Sequence, residues 1–201
     1  MGESARALVE HYKGLAIGDE TTLVVRGATV QEVVAALGGV PVEDLSEEEL
    51  YGEEPIWAEY TLVAIEGGVL ASEDTGYADP PNDVLVALSQ GGRAAAVVRD
   101  NIQAHCRFGC ARDGVLVFDD DEYRFLEDLD AVPDELRAFV DLTRVDLDDD
   151  GHEPEEDDPT AVGLAMAEVV TGLRLTAADA DAHRGPAATV VAVRQLQYAQ
   201  D

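Results

Sequence analysis

The sequence predicts an α+β fold: a mostly antiparallel sheet of about five or six strands, the usual size range, with helices packed on one face and a helical extension at the C-terminus. Three observations carry this. Residues 93–118 hold three apolar runs separated by turn residues, and the last separator, Asp113-Gly114, is the pair that best tolerates the positive φ angles of a tight hairpin. Residues 57–72 read as a second hairpin, with Tyr60 to Ile65 and Val69 to Ser72 joined through Gly67-Gly68. Between such runs lie segments with helical periodicity and recognisable caps. The stretch 93–118 is expected to form the centre of the sheet.

The elements follow in order. Residues 4–15 place Leu8, Tyr12 and Leu15 at i, i+4 and i+7, the spacing of a short amphipathic helix. Thr21 to Arg26 is a β-branched run ended by Gly27. Thr29 then serves as an N-cap with Glu32 three residues on, the pattern of a capping box. Val30, Val33, Val34 and Leu37 form the stripe of that helix, and Gly38-Gly39 stop it. Residues 43–54 are acidic, with Leu45 and Leu50 as candidate anchors and Ser46 opening a short exposed helix. After the 57–72 hairpin, Pro80-Pro81 exclude regular helix from the loop 73–83. Asn82 caps a helix bearing Val84, Leu85 and Leu88. Beyond Phe118 the chain turns acidic again, then a helix near Pro133 carries Leu136, Phe139, Val140 and Leu142. Pro159 starts an apolar helix, residues 176–184 look helical and polar, and residues 187–197 fit either strand or helix. The organisation expected is an α+β domain over 1–145, an acidic linker over 146–158, and a C-terminal helical extension over 159–201 packed on the same domain.

Charge sets the functional classes. Among 201 residues, 13 Lys and Arg face 43 Asp and Glu, a formal charge of −30. A surface so negative repels nucleic-acid phosphates, so direct nucleic-acid binding is not expected. It favours basic partners, metal cations, high solubility or life in high salt. Residues 1–20 lack a continuous hydrophobic region of the kind a secretory signal needs, and no segment reaches the ~20 apolar residues of a membrane span. Cys106 and Cys110 stand four apart on one strand, about 13 Å at ~3.3 Å per residue, beyond disulfide reach. Reduced thiols in a cytoplasmic protein are expected.

The order of these motifs is similar to that of a known family. The Thr-Leu-Val-Val-Arg-Gly strand and the Thr-Val-Gln-Glu-Val-Val-Ala-Ala-Leu-Gly-Gly helix carry the resemblance. So do Leu88-Ser89 to Val98-Arg99, Cys106-Arg-Phe, Asp113-Gly-Val-Leu-Val-Phe and Gly172-Leu-Arg-Leu-Thr. Over about residues 20–176 the chain resembles an uncharacterised actinobacterial domain-of-unknown-function family (DUF6461-like). The resemblance implies a fold and a bacterial cytoplasmic setting, and it brings no catalytic residues to carry over.

Candidate sites follow from the residues themselves. Asp146, Asp148, Asp150 and Asp157 fall at positions 1, 3, 5 and 12 of a possible Ca²⁺ loop with Gly151 at position 6. Glu153 at position 8, Pro154 at position 9 and the short arm of Asp157 depart from that geometry and favour a solvated acidic linker. No other cofactor is expected. His105, Cys106 and Cys110 lack the second ligand pair of a zinc site. Ser89 lacks the flanking glycines of a nucleophile elbow, and His11, His105, His152 and His183 have no evident partners. Arg93, Arg99, Arg107 and Arg112 lie on or beside the central strands. They either pair with neighbouring carboxylates or form an anion-binding face.

Two functions are in competition. In the first, a non-enzymatic binding protein presents Glu47, Glu48, Glu49, Asp119, Asp120, Asp121, Glu122, Asp149, Glu155 and Glu156 to a basic protein partner. An immunity-type toxin inhibitor or a DNA mimic is the concrete form. In the second, a small-molecule or Ca²⁺-binding domain, enzymes included, uses the arginine-bearing sheet face or the 146–157 loop. Acidity serving only solubility or salt adaptation is the plain alternative to both.

Overall fold

The computed structural model describes residues 4–15, 17, 21–52, 56–75, 78–100, 106–145, 154–156 and 158–195. Eight strands form one sheet: β1 (Thr21–Arg26), β2 (Val40–Pro41), β3 (Trp57–Ile65), β4 (Gly68–Glu73), β5 (Ala94–Asp100), β6 (Cys106–Arg112), β7 (Val115–Asp120) and β8 (Thr189–Arg194). Their order is β2-β8-β3-β4-β1-β5-β6-β7, and every neighbouring pair is antiparallel. Among the described residues, seven α-helices accompany them: α1 (Ala5–Tyr12), α2 (Val30–Leu37), α3 (Glu47–Tyr51), α4 (Asn82–Leu88), α5 (Asp134–Thr143), α6 (Pro159–Thr171) and α7 (Ala177–His183).

The α+β class holds, with three differences from the sequence expectation. The sheet has eight strands rather than five or six. β2 is two residues long and leaves no periodic signal, while β8 comes from the segment whose type periodicity left open. Helices cover both faces rather than one. Leu23, Val25, Tyr60, Leu62, Val69, Ala71, Ala95 and Val97 pack under α2 and α4. On the other face, Val24, Leu70, Ala96, Val98, Phe108 and Cys110 pack under α1, α5 and α6. The physical reason is visible in β5, where Ala94, Ala95, Ala96, Val97 and Val98 are all buried. An unbroken apolar run belongs to a strand enclosed on both sides. Finally, the 93–118 unit forms one end of the sheet. β8 crosses back to pair with β3, so β4 and β1 occupy the middle.

Local chemistry explains the boundaries. Thr29 with Glu32, Ser46 with Glu49 and Thr176 with Asp179 each form a reciprocal capping box at α2, α3 and α7. The β6–β7 turn puts Asp113 at φ 52° and Gly114 at φ 77°, both left-handed, as a tight hairpin of this kind requires. The C-terminal part of the chain supplies α6 and α7 and then a strand. α6 is buried almost all round and lies over β5, β6 and β1. Tyr12 ties α1 to it by donating to Glu168 Oε2 at 2.7 Å. Arg112 closes its end, donating to the carbonyls of Val170 at 2.9 Å and Val169 at 3.0 Å, where the helix dipole favours a cation.

α6 reaches the sheet through Gly163, where an added Cβ would stand 2.4 Å from Val98 Cγ1. Val98 is itself buried, so the contact has no room to open. Gly163→Ala is expected to lower stability by about 1–2 kcal/mol in urea denaturation, overpacking outweighing the gain in helix propensity.

Candidate functional site

Across one end of the sheet, on the face beneath α2 and α4, five polar residues stand directly opposite one another. In strand order they are Tyr60 on β3, Glu73 on β4, Thr21 on β1, Arg99 on β5 and Arg107 on β6. Tyr60, Glu73 and Thr21 are fully buried and Arg107 is 5% exposed. The loop that precedes α4 closes over this row.

Arg107 is the hub. Its Nε donates to Asp119 Oδ1 at 2.8 Å, Nη1 to the Pro80 carbonyl at 2.8 Å, and Nη2 to Asn82 Oδ1 at 2.9 Å. Asp79 Oδ1 lies 2.7 Å from Nη1. Asn82 Nδ2 donates to Asp119 Oδ2 at 2.8 Å, which completes a closed ring of side chains. Gly109, opposite Asp119 in the β6–β7 register, leaves the space, because a Cβ there would stand 2.7 Å from Asp119 Oδ1. Tyr60 donates its hydroxyl to the Ala78 carbonyl at 2.6 Å and pins the same loop one residue before Asp79. Arg99 shares Asp79, with Nη1 3.0 Å from Oδ2, and has exposed Asp121 at 3.8 Å.

Burial pushes the Asp79 carboxyl above its usual range, against the pull of Arg107 and Arg99. Burial also works against the Arg107 charge, yet Asp79 and Asp119 hold its pKa above the ordinary value. Thr21 Oγ1, Asp79 Oδ1 and Arg99 Nε are buried without an aligned hydrogen bond. The row is therefore a strongly polar layer inside an apolar sheet, and three aspartates surround its two arginines.

This arrangement divides the four arginines singled out by sequence. Only Arg99 and Arg107 meet. Arg93 stands at the far end of β5, ~20 Å from Arg99 at ~3.3 Å per residue, where it pairs with Glu32 Oε1 at 2.5 Å. Arg112 is on the opposite face, holding α6 and pairing with Glu135 at 2.7 Å. Carboxylates neutralise all four, from helices for Arg93 and Arg112, from the loop before α4 and the turn after β7 for Arg99, and from that loop and β7 for Arg107, so no open guanidinium fork faces solvent here.

The acidic residues also scatter. Glu47 and Glu48 are exposed on α3, whereas Glu49 turns back to cap that helix. Asp119 belongs to the Arg107 ring, Asp120 accepts from the Glu122 backbone N–H at 2.9 Å, and Asp121 and Glu122 are exposed. Glu155 pairs with Arg6. Glu156 is buried, 2.7 Å from Lys13 Nζ, and is held inside the molecule. α3 lies against β3, five strand spacings from β7, so the two exposed acidic groups sit roughly 24 Å apart at ~4.8 Å per strand. Asp146, Asp148, Asp149, Asp150 and Asp157 lie outside the described residues, as do His105 and His152. Among the described residues, no group of three or more His, Cys, Asp or Glu is placed to hold a metal ion.

One pairing had no sequence signal. His183, at the end of α7, places Nε2 3.0 Å from Ser72 Oγ and 3.1 Å from the Thr61 carbonyl. It borders an open cleft of about 450 Å³ lined in part by Thr61, Asp74, Arg184 and Val190. A carbonyl only accepts, so the short Thr61 contact assigns the proton to Nε2, and that nitrogen cannot deprotonate Ser72. Ser72 is also 1% exposed. The pair anchors α7 to β3 and β4. The cysteines are equally quiet: burial raises the Cys106 thiol to about 11 and the Cys110 thiol to about 12, leaving both protonated at neutral pH.

The molecule is thus an α+β protein with a helix-covered antiparallel sheet, a neutralised arginine–aspartate hub inside it, and acidic groups outside. The model of a family of unknown function (DUF6461) matches residues 9–183, and the chain belongs to that family. The match takes in α7 and part of α1, beyond the span 20–176 that carried the resemblance. No curated protein and no solved structure matches the chain. Among the described residues, no helix is long and apolar enough to cross a membrane.

Two measurements test this electrostatic description. Arg107→Met leaves Asp79 and Asp119 without their buried partner and is expected to cost about 3–5 kcal/mol in urea denaturation. The half-exposed pair removed by Arg93→Met is expected to cost about 1 kcal/mol or less. Glu32 is held down to about 2 by the Thr29 backbone N–H and by Arg93. A depressed carboxyl stabilises the fold above its unfolded pKa and loses that contribution as pH falls. The Tm deficit of Glu32→Gln is therefore expected to be full at neutral pH and to close as pH falls from 4.5 toward about 2.

Proposed function

We propose that this protein is a non-enzymatic cytoplasmic binding protein whose acidic surface engages a basic protein partner. An immunity-type toxin inhibitor or a protein that mimics DNA is the most concrete form. One observation carries the reading: the fold uses its few cations internally. Arg6, Lys13, Arg93, Arg99, Arg107, Arg112, Arg137, Arg144, Arg174 and Arg184 each lie within ion-pair distance of a carboxylate. With 43 carboxylates against 13 cations, the excess negative charge remains uncompensated. Glu43 and Asp44 are exposed beside β8, Glu47 and Glu48 beside β3, and Asp121, Glu122, Glu127, Asp128 and Asp130 beyond β7.

Such a field steers a basic face toward the protein and repels polyanions. The anion-binding alternative loses its footing, because Asp79, Asp119 and Asp121 already occupy the Arg99–Arg107 pair. The buried, protonated thiols and the orientation of His183 offer no activated nucleophile.

Affinity capture of the tagged protein from its native lysate, followed by binding kinetics on the purified pair, tests the reading. A basic protein is expected in stoichiometric yield at low salt and released at high salt, with an association rate that falls about tenfold or more across that range. An association rate indifferent to ionic strength would sink the proposal.

A further inference from the structure

The sheet ends differently on its two sides. β2, at one edge, is two residues long and offers almost no backbone to a partner. β7, at the other, is six residues long and pairs only with β6 among the described residues. Strand edges carry unpaired N–H and C=O groups that accept another strand, and proteins generally blunt long ones. β7 is blunted by acid at its end and by a register shift between Cys110 and Ala111, yet its beginning is apolar and open. Val115 is 64% exposed and Leu116 38%, two of the four large hydrophobic residues exposed among those described. After Phe118 the strand turns into Asp119-Asp120, followed by exposed Asp121 and Glu122.

We propose that β7 is the docking edge for the basic partner, which adds an extended segment antiparallel to it. This rests on the reading above and specifies how that partner binds. Antiparallel addition sets the segment's composition. Its first residues run beside Asp120, Asp121 and Glu122 and are lysine or arginine; its later residues run beside Val115 and Leu116 and are apolar. Main-chain hydrogen bonds supply affinity in this mode, and side chains supply selectivity. A second copy of the chain does not fit. Two β7 strands paired about their midpoint set Val115 opposite Asp120, apolar against acid, and bring together two chains of charge −30.

The probe is a capped peptide of sequence Lys-Arg-Lys-Thr-Val-Thr-Val, with two versions N-methylated at alternate amides in the two possible phases. A strand in a ladder bonds through every second amide on a given side. One methylated phase is therefore expected to bind at least about tenfold more weakly than the other. Hydrogen exchange with the unmethylated peptide is expected to slow at residues 115–120. Val115→Lys combined with Leu116→Lys is expected to weaken that peptide's binding by about tenfold. Glu47→Lys with Glu48→Lys, the larger charge change at the distant α3, leaves it within about twofold.

Equal binding of the two methylated phases, or protection at α3 in place of β7, overturns edge docking while leaving an acidic cap for a basic partner intact. Binding that ignores salt counts against both.

Discussion

The constraint on which this structure rests is the shortage of positive charge. With 13 cations to distribute, the fold places one, Arg107, almost wholly inside and gives it most of the partners at its end of the sheet. Asp119 comes from the edge strand, Asp79 and Pro80 from the loop after β4, and Asn82 from the start of α4. Ion pairing alone rarely repays the desolvation of a guanidinium. Here four partners from three segments share the charge, and the group fixes where the loop and α4 sit over the sheet. The fold then has few cations left to balance its surface.

The same shortage links interior and exterior. Carboxylates within reach of a cation are neutral from the point of view of a partner, as Glu32, Glu156 and Asp119 illustrate. Exposed carboxylates for which no such pair is seen among the described residues, Glu43, Asp44, Glu47 and Glu48 and then Glu127, Asp128 and Asp130, contribute most to the long-range field. A run of acid in the sequence is therefore not a binding surface until the structure shows which members have been used. Asp119 and Glu156 have, although sequence alone gave them the same standing as Glu47.

Much of the fold was legible because short-range chemistry specifies it. Thr29 with Glu32 and Ser46 with Glu49 are reciprocal caps in the structure, and Asp113-Gly114 takes the positive φ angles that its composition anticipates. The enclosure of the sheet on both faces was recorded in the unbroken run Ala94 to Val98, where alternation would have marked one open face. The candidate site was far less legible. Arg107 looks like any strand arginine until residues 79, 80, 82 and 119 are brought around it, and they share no motif. The His183–Ser72 contact joins residues 111 apart in sequence, again without a local signature. Long-range polar pairings of this kind obey satisfaction of buried groups rather than periodicity.

The position of β8 has a consequence for how the chain acquires its shape. It lies between β2 and β3, so Leu62 meets Thr189 only after the 126 residues between them have been made. Until then β3 is itself a sheet edge, nine residues long and rich in apolar side chains. A nascent chain that has already formed the β3–β4 hairpin thus presents an aggregation-prone template that β8 later removes. Pairings so distant in sequence are slow to form. High negative charge on the rest of the chain repels such unfinished molecules from one another, so acidity has a use during synthesis that does not depend on any partner.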